Sequence, residues 1–257
     1  MSDRYVTIIP AYKKSFDADE ESCVGRYFDV LESVKVFAVP ESLDVSWYEK
    51  RYEGAVFERF DDRFFKGIRA YNRLLLSTAF YKRFDKWEYM LIAQPDATLW
   101  QDTDRIEEFI AKGYDYYGAP WIPERRIWEW LFPKKDGFPG FYIRCLKKKG
   151  SGITMGNGGF SLRRSEACIR LIEQYGWRKI YWFIKRNEDI FFGVCGRDNR
   201  NDFKPADVES GKEFALEYGL RDSVKNGKLP YAVHGWKKEF ASYDEMKAFL
   251  DENGIRI

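Results

Sequence analysis

The feature of the sequence that most constrains the fold is an apolar run ending in a proline and an aspartate, WEYMLIAQPDATLW, at residues 87–100. Residues 89–93 have the length and composition of a buried strand. Because Pro95 has no backbone N–H to donate to a neighbouring strand, the strand should end before it. Asp96 would then lie just past the carboxyl end of a core strand, where open α/β sheets bind ligands. The alternative is that Asp96 only stabilises the turn.

Strand and helix signals alternate through the first half of the chain. Strands are predicted at residues 5–12, 34–40, 54–60 and 114–121, and helices at residues 20–33, 67–84 and 102–113. This alternation is typical of βαβ units. We therefore predict an α/β fold in a single domain, residues 1–257, with a mostly parallel central sheet flanked by helices.

Charge and cysteine content exclude several classes of protein. The net charge of +2 argues against a dedicated nucleic-acid binder, and the four cysteines form no CxxC pair, which suits a reducing compartment. The first residues lack the pattern of a signal peptide, and no apolar run approaches the ~18 residues of a membrane span. We expect a cytoplasmic protein. Aromatic residues reach 18% of the chain, which serves a core but also the stacking of sugar rings and bases.

Two segments have compositions that suggest binding surfaces. Arg69 and Asn72 lie near the start of the helix predicted at residues 67–84, where a cation opposes the helix dipole unless an anionic ligand offsets it. Residues 121–151, beginning at Trp121, mix seven aromatic rings with eight cations, as in a peripheral membrane contact or an anionic acceptor site. The alternatives are solvated surface charge in the first segment and a loop packed over the sheet in the second.

A glycine-rich segment and an acidic pair are the remaining candidates for a site. Asn157 lies among three glycines ahead of a short predicted strand, and Gly158 and Gly159 would let the backbone approach a ligand closely. The spacing matches neither GxGxxG nor a Walker loop. Glu188 and Asp189 begin a predicted helix, where they could simply be stabilised by the dipole or could supply a catalytic base. If Asp189 is that base, the helix start is expected to lower its pKa and keep it ionised at neutral pH.

Six short motifs occur in order between residues 71 and 236: YNRLL, LIAQPDA, DYYGAPW, GNGGFSLR, NEDIFF and HGW. Together they resemble the bacterial glycosyltransferase-like proteins of surface-polysaccharide gene clusters. The resemblance implies a Rossmann-like GT-A fold, with a nucleotide-sugar half at about residues 1–120 and an acceptor half at about residues 121–257. This sequence has Gln94 where many GT-A enzymes carry the first aspartate of a D-x-D motif.

The resemblance also implies roles for individual residues. Asp96 and His234, the only histidine of the chain, would hold Mn²⁺ or Mg²⁺ at the donor diphosphate. Asp189 would be the base that removes the acceptor proton, and Glu188 would orient the acceptor. The donor site would be formed by residues Pro10, Ala11, Tyr12, Arg69, Asn72, Gln94, Asp96, Gly158 and Gly159. Trp121, Asn157 and Glu188 are assigned to the acceptor.

These roles predict an inverting, metal-assisted glycosyltransferase. The donor would be a nucleotide-diphosphate sugar, most simply a UDP-sugar, and the acceptor a saccharide or a lipid-linked saccharide in surface polysaccharide synthesis. Contact with the inner face of the cell membrane is expected at residues 121–151. A glycosidase could use the same carboxylates. Two further classes stay open: a non-catalytic carbohydrate-binding protein on a degenerate transferase fold, and a metal-dependent nucleotidyltransferase or phosphoesterase.

Overall fold

The computed structural model describes residues 3–121, 156–185, 187–198 and 200–257. Within these ranges the strands are β1 (Tyr5–Pro10), β2 (Val34–Pro40), β3 (Val56–Phe60), β4 (Tyr89–Ala93), β5 (Ala97–Leu99), β6 (Tyr116–Tyr117), β7 (Phe160–Arg164), β8 (Ala215–Leu216) and β9 (Ala232–His234). The helices are α1 (Ala18–Val30), α2 (Ser46–Glu49), α3 (Ile68–Leu75), α4 (Thr78–Lys82), α5 (Ile106–Ala111), α6 (Ser165–Ile184), α7 (Glu188–Cys195), α8 (Val208–Phe214), α9 (Leu220–Lys225) and α10 (Tyr243–Glu252). Short 3₁₀ turns lie at Asp62–Phe65 and Trp236–Lys238.

The central sheet of the described residues has the strand order β3-β2-β1-β4-β7-β6. The pairings of β1 with β2, of β1 with β4 and of β2 with β3 are parallel. Strand β7 pairs antiparallel with both β4 and β6. The predicted α/β class and the flanked central sheet are therefore confirmed, although the sheet is mixed.

The centre of the sheet is buried on both faces. Every residue of β1 and β4 is buried, and so is β7 from Phe160 to Arg163. Fully buried strands of this kind read as continuous apolar runs rather than as alternating patterns, which is why the run at residues 89–93 is a strong signal. Burial of this apolar surface is the main force holding the fold together.

Several segments with predicted site residues meet at one edge of the central sheet. The parallel strands β1 and β4 end there at Pro10 and Ala93, and the antiparallel strand β7 begins there at Phe160. The backbone N–H of Gln94 donates a hydrogen bond of 2.8 Å to the carbonyl of Gly159. The glycine segment before β7 is thereby fixed beside the turn after β4.

A second, small sheet has the order β5-β9-β8 in the described part of the chain. Strand β5 pairs antiparallel with β9, so that Ala97 lies opposite His234. A separate cluster of apolar side chains packs around this sheet, and the indoles of Trp100 and Trp236 are fully buried in it. The sequence patterns did not predict β5, because three residues are too few to show a period.

Several predicted helices and strands have different bounds in the structure. The helix predicted at residues 67–84 is two helices, α3 and α4, because the Ser77 side chain accepts a hydrogen bond from the N–H of Ala79 and starts a new helix. The helix expected from residue 102 begins at Ile106. The strand expected at residues 114–121 has only two residues, Tyr116–Tyr117. The sequence predicts that the helix beginning at residue 165 ends at residue 175, but α6 continues to Ile184 across a kink at Gly176, whose φ is +66°.

Two expectations from the sequence concern membranes, and the structure addresses the first of them. None of the helices in the described ranges is long and apolar enough to cross a bilayer. The predicted aromatic and basic insertion at residues 121–151 lies outside the described residues, apart from Trp121.

Candidate functional site

A cavity of about 490 Å³ opens at the sheet edge where β1 and β4 end. Its walls come from the turn after β1, helix α3, the turn after β4, the glycine segment, the start of α7 and the end of β9. The predicted site residues that line it are Pro10, Tyr12, Asn72, Gln94, Asp96, Asn157, Gly158, Gly159, Glu188, Asp189 and His234. Residues distant in sequence are thus brought to one place by the sheet topology.

Three predicted site residues do not line this cavity. Ala11 is buried, and its N–H continues the β1–β2 ladder by donating to the carbonyl of Ala38. Arg69 is exposed on α3. The indole of Trp121 packs so closely against Gly156 that a Cβ on this glycine would lie 2.2 Å from the ring. Trp121 therefore contacts the glycine segment without lining the cavity itself.

Asp96 and His234 meet because β5 pairs with β9. The N–H of Gly235 donates to the carbonyl of Asp96, and Nε2 of His234 lies 3.3 Å from Oδ1 of Asp96. About half of the Asp96 side chain is exposed to the cavity. Burial opposes the charged imidazole, but the Asp96 carboxylate outweighs it and raises the pKa of His234. Burial likewise opposes the Asp96 carboxylate, yet the neighbouring imidazole of His234 leaves its pKa lowered.

Gly159 is required for this approach. A Cβ at this position would lie 2.2 Å from Nε2 of His234, far inside van der Waals contact. No positive φ is needed at Gly159, so the requirement is one of space and not of backbone conformation. The imidazole packs directly on the glycine backbone.

The donor set of Asp96 and His234 fits a divalent cation. Ligand bonds of ~2.1 Å to one ion place two neighbouring ligand atoms roughly 3 Å apart, close to the separation seen here. Both ring nitrogens of His234 are buried and without a hydrogen-bond partner among the described residues. No group of three or more His, Cys, Asp or Glu side chains able to hold a metal occurs in those residues. The remaining ligands of such an ion would be oxygen atoms of a bound molecule and water, as is common for Mg²⁺.

The acidic pair lies at the start of α7, on the opposite side of the glycine segment. Oδ2 of Asp189 accepts a hydrogen bond of 3.3 Å from the N–H of Gly158, and Oδ1 accepts one of 2.7 Å from Ile190. Oε1 of Glu188 is 2.8 Å from the guanidinium of Arg163. A Cβ on Gly158 would lie 2.3 Å from the same oxygen of Glu188. Gly158 therefore faces the acidic pair while the adjacent Gly159 faces His234.

The pKa of Asp189 differs from the expectation that a helix start would lower it. Burial raises it to about 8, the charge of Glu188 adds to the rise, and the N–H groups of Ile190 and Gly158 offset only part of it. The prediction that Asp189 is ionised at neutral pH was therefore wrong. Desolvation of a buried carboxylate outweighs the field of a single helix terminus.

Arg163 is the main residue of the site that the sequence did not reveal. It is fully buried, and its guanidinium lies 5.4 Å from the ring centre of Tyr116 and 5.2 Å from that of Phe192. It also donates to Ser161 Oγ at 2.9 Å. An arginine in an otherwise buried strand was the available signal, because a buried charge requires a partner.

Other lining residues carried no sequence signal. They include the ion pair of Lys13 with Glu20. Glu217 approaches Nδ1 of His234 at 4.0 Å and is also paired with Lys238. Nothing in the spacing of Glu217 relates it to the other site residues.

Comparison with known proteins places this site in a family. The model of a family described as "Protein of unknown function (DUF5672)" matches residues 54–234. The chain belongs to this family. The match extends from β3 to His234 and includes both residue pairs of the cavity. No curated protein sequence matches the chain significantly.

Three solved structures are similar to this chain. The mannosyltransferase Ktr4p from S. cerevisiae is similar with a TM-score of 0.51 at 9% identity, over 75% of this chain and 65% of that one. Mouse xyloside xylosyltransferase 1 gives 0.48 at 14% identity over 90% and 97%. The bifunctional glycosyltransferase WbbM gives 0.49 at 13% identity over 91% and 46%. This chain spans under two thirds of the Ktr4p chain, and that likeness shows a shared glycosyltransferase fold.

Proposed function

We propose that this family member is a glycosyltransferase that moves a sugar from a nucleotide-diphosphate sugar, a UDP-sugar in the simplest case, to a saccharide or lipid-linked saccharide acceptor. The observation that supports it most is that one cavity contains a carboxylate paired with a histidine and, on another wall, a pair of adjacent carboxylates. Asp96 stands beside His234 at one wall, and Asp189 stands beside Glu188 at the other. The two glycines lie between the pairs: Gly158 faces the acidic pair and Gly159 faces His234.

The Asp96–His234 wall suits the donor diphosphate. Loss of the sugar leaves a diphosphate with growing negative charge, and a divalent ion held by Asp96 and His234 would neutralise it when bound. Asp96 is ionised and half exposed, so it can face such an ion without further burial of charge. His234 must lose its proton to act as a ligand, and its raised pKa makes that step depend on pH.

The Asp189–Glu188 wall suits the acceptor hydroxyl. Among the described residues one buried cation, Arg163, pairs with Glu188, so within that part of the chain the two carboxylates share a single compensating charge. Asp189, with a pKa of about 8, readily gains and loses a proton near neutral pH. A base whose pKa lies near the working pH is well matched to proton transfer. We propose that ionised Asp189 takes the hydroxyl proton, that Glu188 orients the acceptor, and that the product has the inverted anomeric configuration.

The proposal is tested by binding and by product analysis. In a thermal-shift screen of nucleotide sugars with and without Mn²⁺, the correct donor should raise the melting temperature by mass action. Asp96→Asn should abolish the contribution of the metal. Saccharide acceptors are then incubated with the donor that binds, and the anomeric configuration of the product is read by NMR.

Failure would take a definite form. If no nucleotide sugar stabilises the protein and simple saccharides do, the chain is a carbohydrate-binding protein. Hydrolysis of a sugar phosphate or diphosphate without any transfer to an acceptor would support a phosphoesterase instead. Synthesis of surface polysaccharide belongs to the same proposal and rests on the resemblance of the motifs, whereas the proposed cytoplasmic location rests on the cysteine content, which suits a reducing compartment.

A further inference from the structure

The outer face of helices α3 and α6 carries a continuous row of aromatic and basic side chains. The guanidinium of Arg73 lies 5.8 Å from the ring centre of Trp177, which is 6.1 Å from that of Tyr181. The ammonium of Lys185 lies 4.8 Å from the ring of Tyr181. These four residues form the aromatic–basic row. Trp177 and Tyr181 are 58% and 42% exposed, the largest exposure of any described tryptophan and a high one for tyrosine.

The two chain segments that carry the row contain basic but no acidic residues. Residues 63–84, which include α3, contain six cations and no acidic residue, and residues 174–187 contain four cations and no acidic residue. The two segments are joined, because Nδ2 of Asn72 donates to the carbonyl of Ile184 at 3.3 Å. Exposed Lys66, Arg69 and Lys179 belong to these segments. Cations at the ends of the first segment pair with acidic residues outside it: Arg63 with Asp61, Lys82 with Glu173 and Arg83 with Glu58. Among the described side chains no such ion pair involves Arg73 or Lys185 of the row.

We propose that the aromatic–basic row docks this protein on an anionic lipid bilayer surface. Amphipathic rings flanked by lysine and arginine are the composition of helices that lie in a membrane interface, where the rings enter the headgroup layer and the cations attract anionic lipids. A saccharide fits the row less well, because the polar groups next to the rings are all cations. None of the four residues lines the cavity.

The position of the row gives this docking a consequence for the site. Helix α3 carries Arg73 in the row and, next to it, Asn72 in the cavity wall. Ile68 is 72% exposed at the start of the same helix and lines the cavity rim. Docking through the row would therefore hold the rim of the cavity near the bilayer. This surface is distinct from residues 121–151, and the proposal does not require the chain to be a transferase.

The test is flotation of the whole chain with phosphatidylcholine vesicles that contain or lack phosphatidylglycerol. We expect binding only to the anionic vesicles, with a marked loss at high salt. Arg73→Glu with Lys185→Glu should weaken it at least tenfold, since each basic residue near the surface contributes about 1 kcal/mol. Trp177→Ser should weaken binding several-fold while leaving the net charge unchanged. The matched control, Lys225→Glu with Lys247→Glu on α9 and α10, changes net charge equally and should bind nearly as wild type.

Three results would overturn the proposal. One is no flotation of the wild type at low salt, and another is equal loss in the row and control variants, which would indicate net charge alone. The third is a wild-type response of the row variant together with loss on reversing Lys147, Lys148 and Lys149. Each variant is checked by circular dichroism and by its nucleotide-sugar thermal shift. A failure of membrane docking is thereby distinguished from a failure of the proposed donor binding.

Discussion

Substituting alanine for Gly159 tests the most specific contact of the proposed donor site. The added Cβ would lie 2.2 Å from Nε2 of His234, whereas ordinary contact begins near 3.4 Å, so the ring must move by at least about 1 Å. The glycine cannot retreat easily, because its carbonyl accepts from Gln94 and its N–H donates to Asn157, both at 2.8 Å. The imidazole is therefore the group that moves.

A displacement of this size should separate the ligands of a metal ion. Metal–ligand distances tolerate only about ±0.2 Å. We expect Gly159→Ala to weaken Mn²⁺-dependent binding of a nucleotide diphosphate by roughly 10–100-fold, the range seen when the support of a metal ligand is disturbed. Overpacking should cost about 1–3 kcal/mol in unfolding free energy. Calorimetric titration with UDP, with and without Mn²⁺, measures the first effect, and urea unfolding measures the second.

Two control variants separate the clash with His234 from a general effect of replacing glycine by alanine. Gly25→Ala lies in α1, where a Cβ would have no neighbour within 4 Å, and should leave UDP binding unchanged while stabilising the helix by about 0.5–1 kcal/mol. In His234→Ala the clash disappears, so adding Gly159→Ala should weaken binding no further. The reasoning is refuted if Gly159→Ala binds Mn²⁺ and UDP as wild type does, or if its effect adds in full to that of His234→Ala.

Further predictions concern the titrating groups and the buried ion pair. Because the pKa of Asp189 is about 8, kcat/KM should rise roughly tenfold between pH 6 and 7 and level off above about 8. In Asp189→Asn, kcat/KM should not change with pH over this range, and turnover should be roughly 10²–10⁴ lower. A wild-type kcat/KM that does not change with pH would contradict this. The raised pKa also means that the folded state binds this proton more tightly than the unfolded one. The unfolding free energy in urea should therefore fall as pH rises from about 4 to about 8, and less so in Asp189→Asn; parallel curves would count against it. Mn²⁺ affinity should fall as pH is lowered through the raised pKa of His234, with proton release detected in calorimetry in different buffers; pH-independent binding would exclude His234 as a ligand. Arg163→Met should lower the unfolding free energy by about 3–5 kcal/mol, because Glu188 loses its buried partner. Adding Glu188→Gln to this variant should restore part of the lost stability. If Arg163→Met and the double variant are equally stable, the two residues are not coupled.

Local rules were sufficient to predict the parts of the site that depend on short segments. Pro95 ends β4 and puts Asp96 at the edge of the sheet, as its missing N–H requires. The only histidine of the chain, His234, lies beside it. The crowding at Gly158 and Gly159 agrees with the expectation that glycines permit close backbone approach. In each case the relevant physics acts within a few residues of the side chain concerned.

Other properties depend on tertiary packing and could not be obtained from the sequence. The pKa of Asp189 depends on how deeply the start of α7 is buried, which no local pattern records. The partner of Arg163 is 25 residues away and on another element. The break between α3 and α4 depends on whether Ser77 bonds to its own backbone or continues the helix, and both outcomes are compatible with the same sequence.

The pairing of β5 with β9 joins residues that are separated by more than half of the chain. A ligand bound by both Asp96 and His234 would link the two ends of this long loop. Such a link stabilises a fold chiefly by lowering the conformational entropy of the chain when the loop is open. Occupancy of the cavity is therefore linked to the persistence of the small sheet and of the apolar cluster around Trp100 and Trp236. In a limited proteolysis experiment, bound nucleotide and Mn²⁺ should protect peptide bonds in α9 and α10, although no residue of those helices lines the cavity.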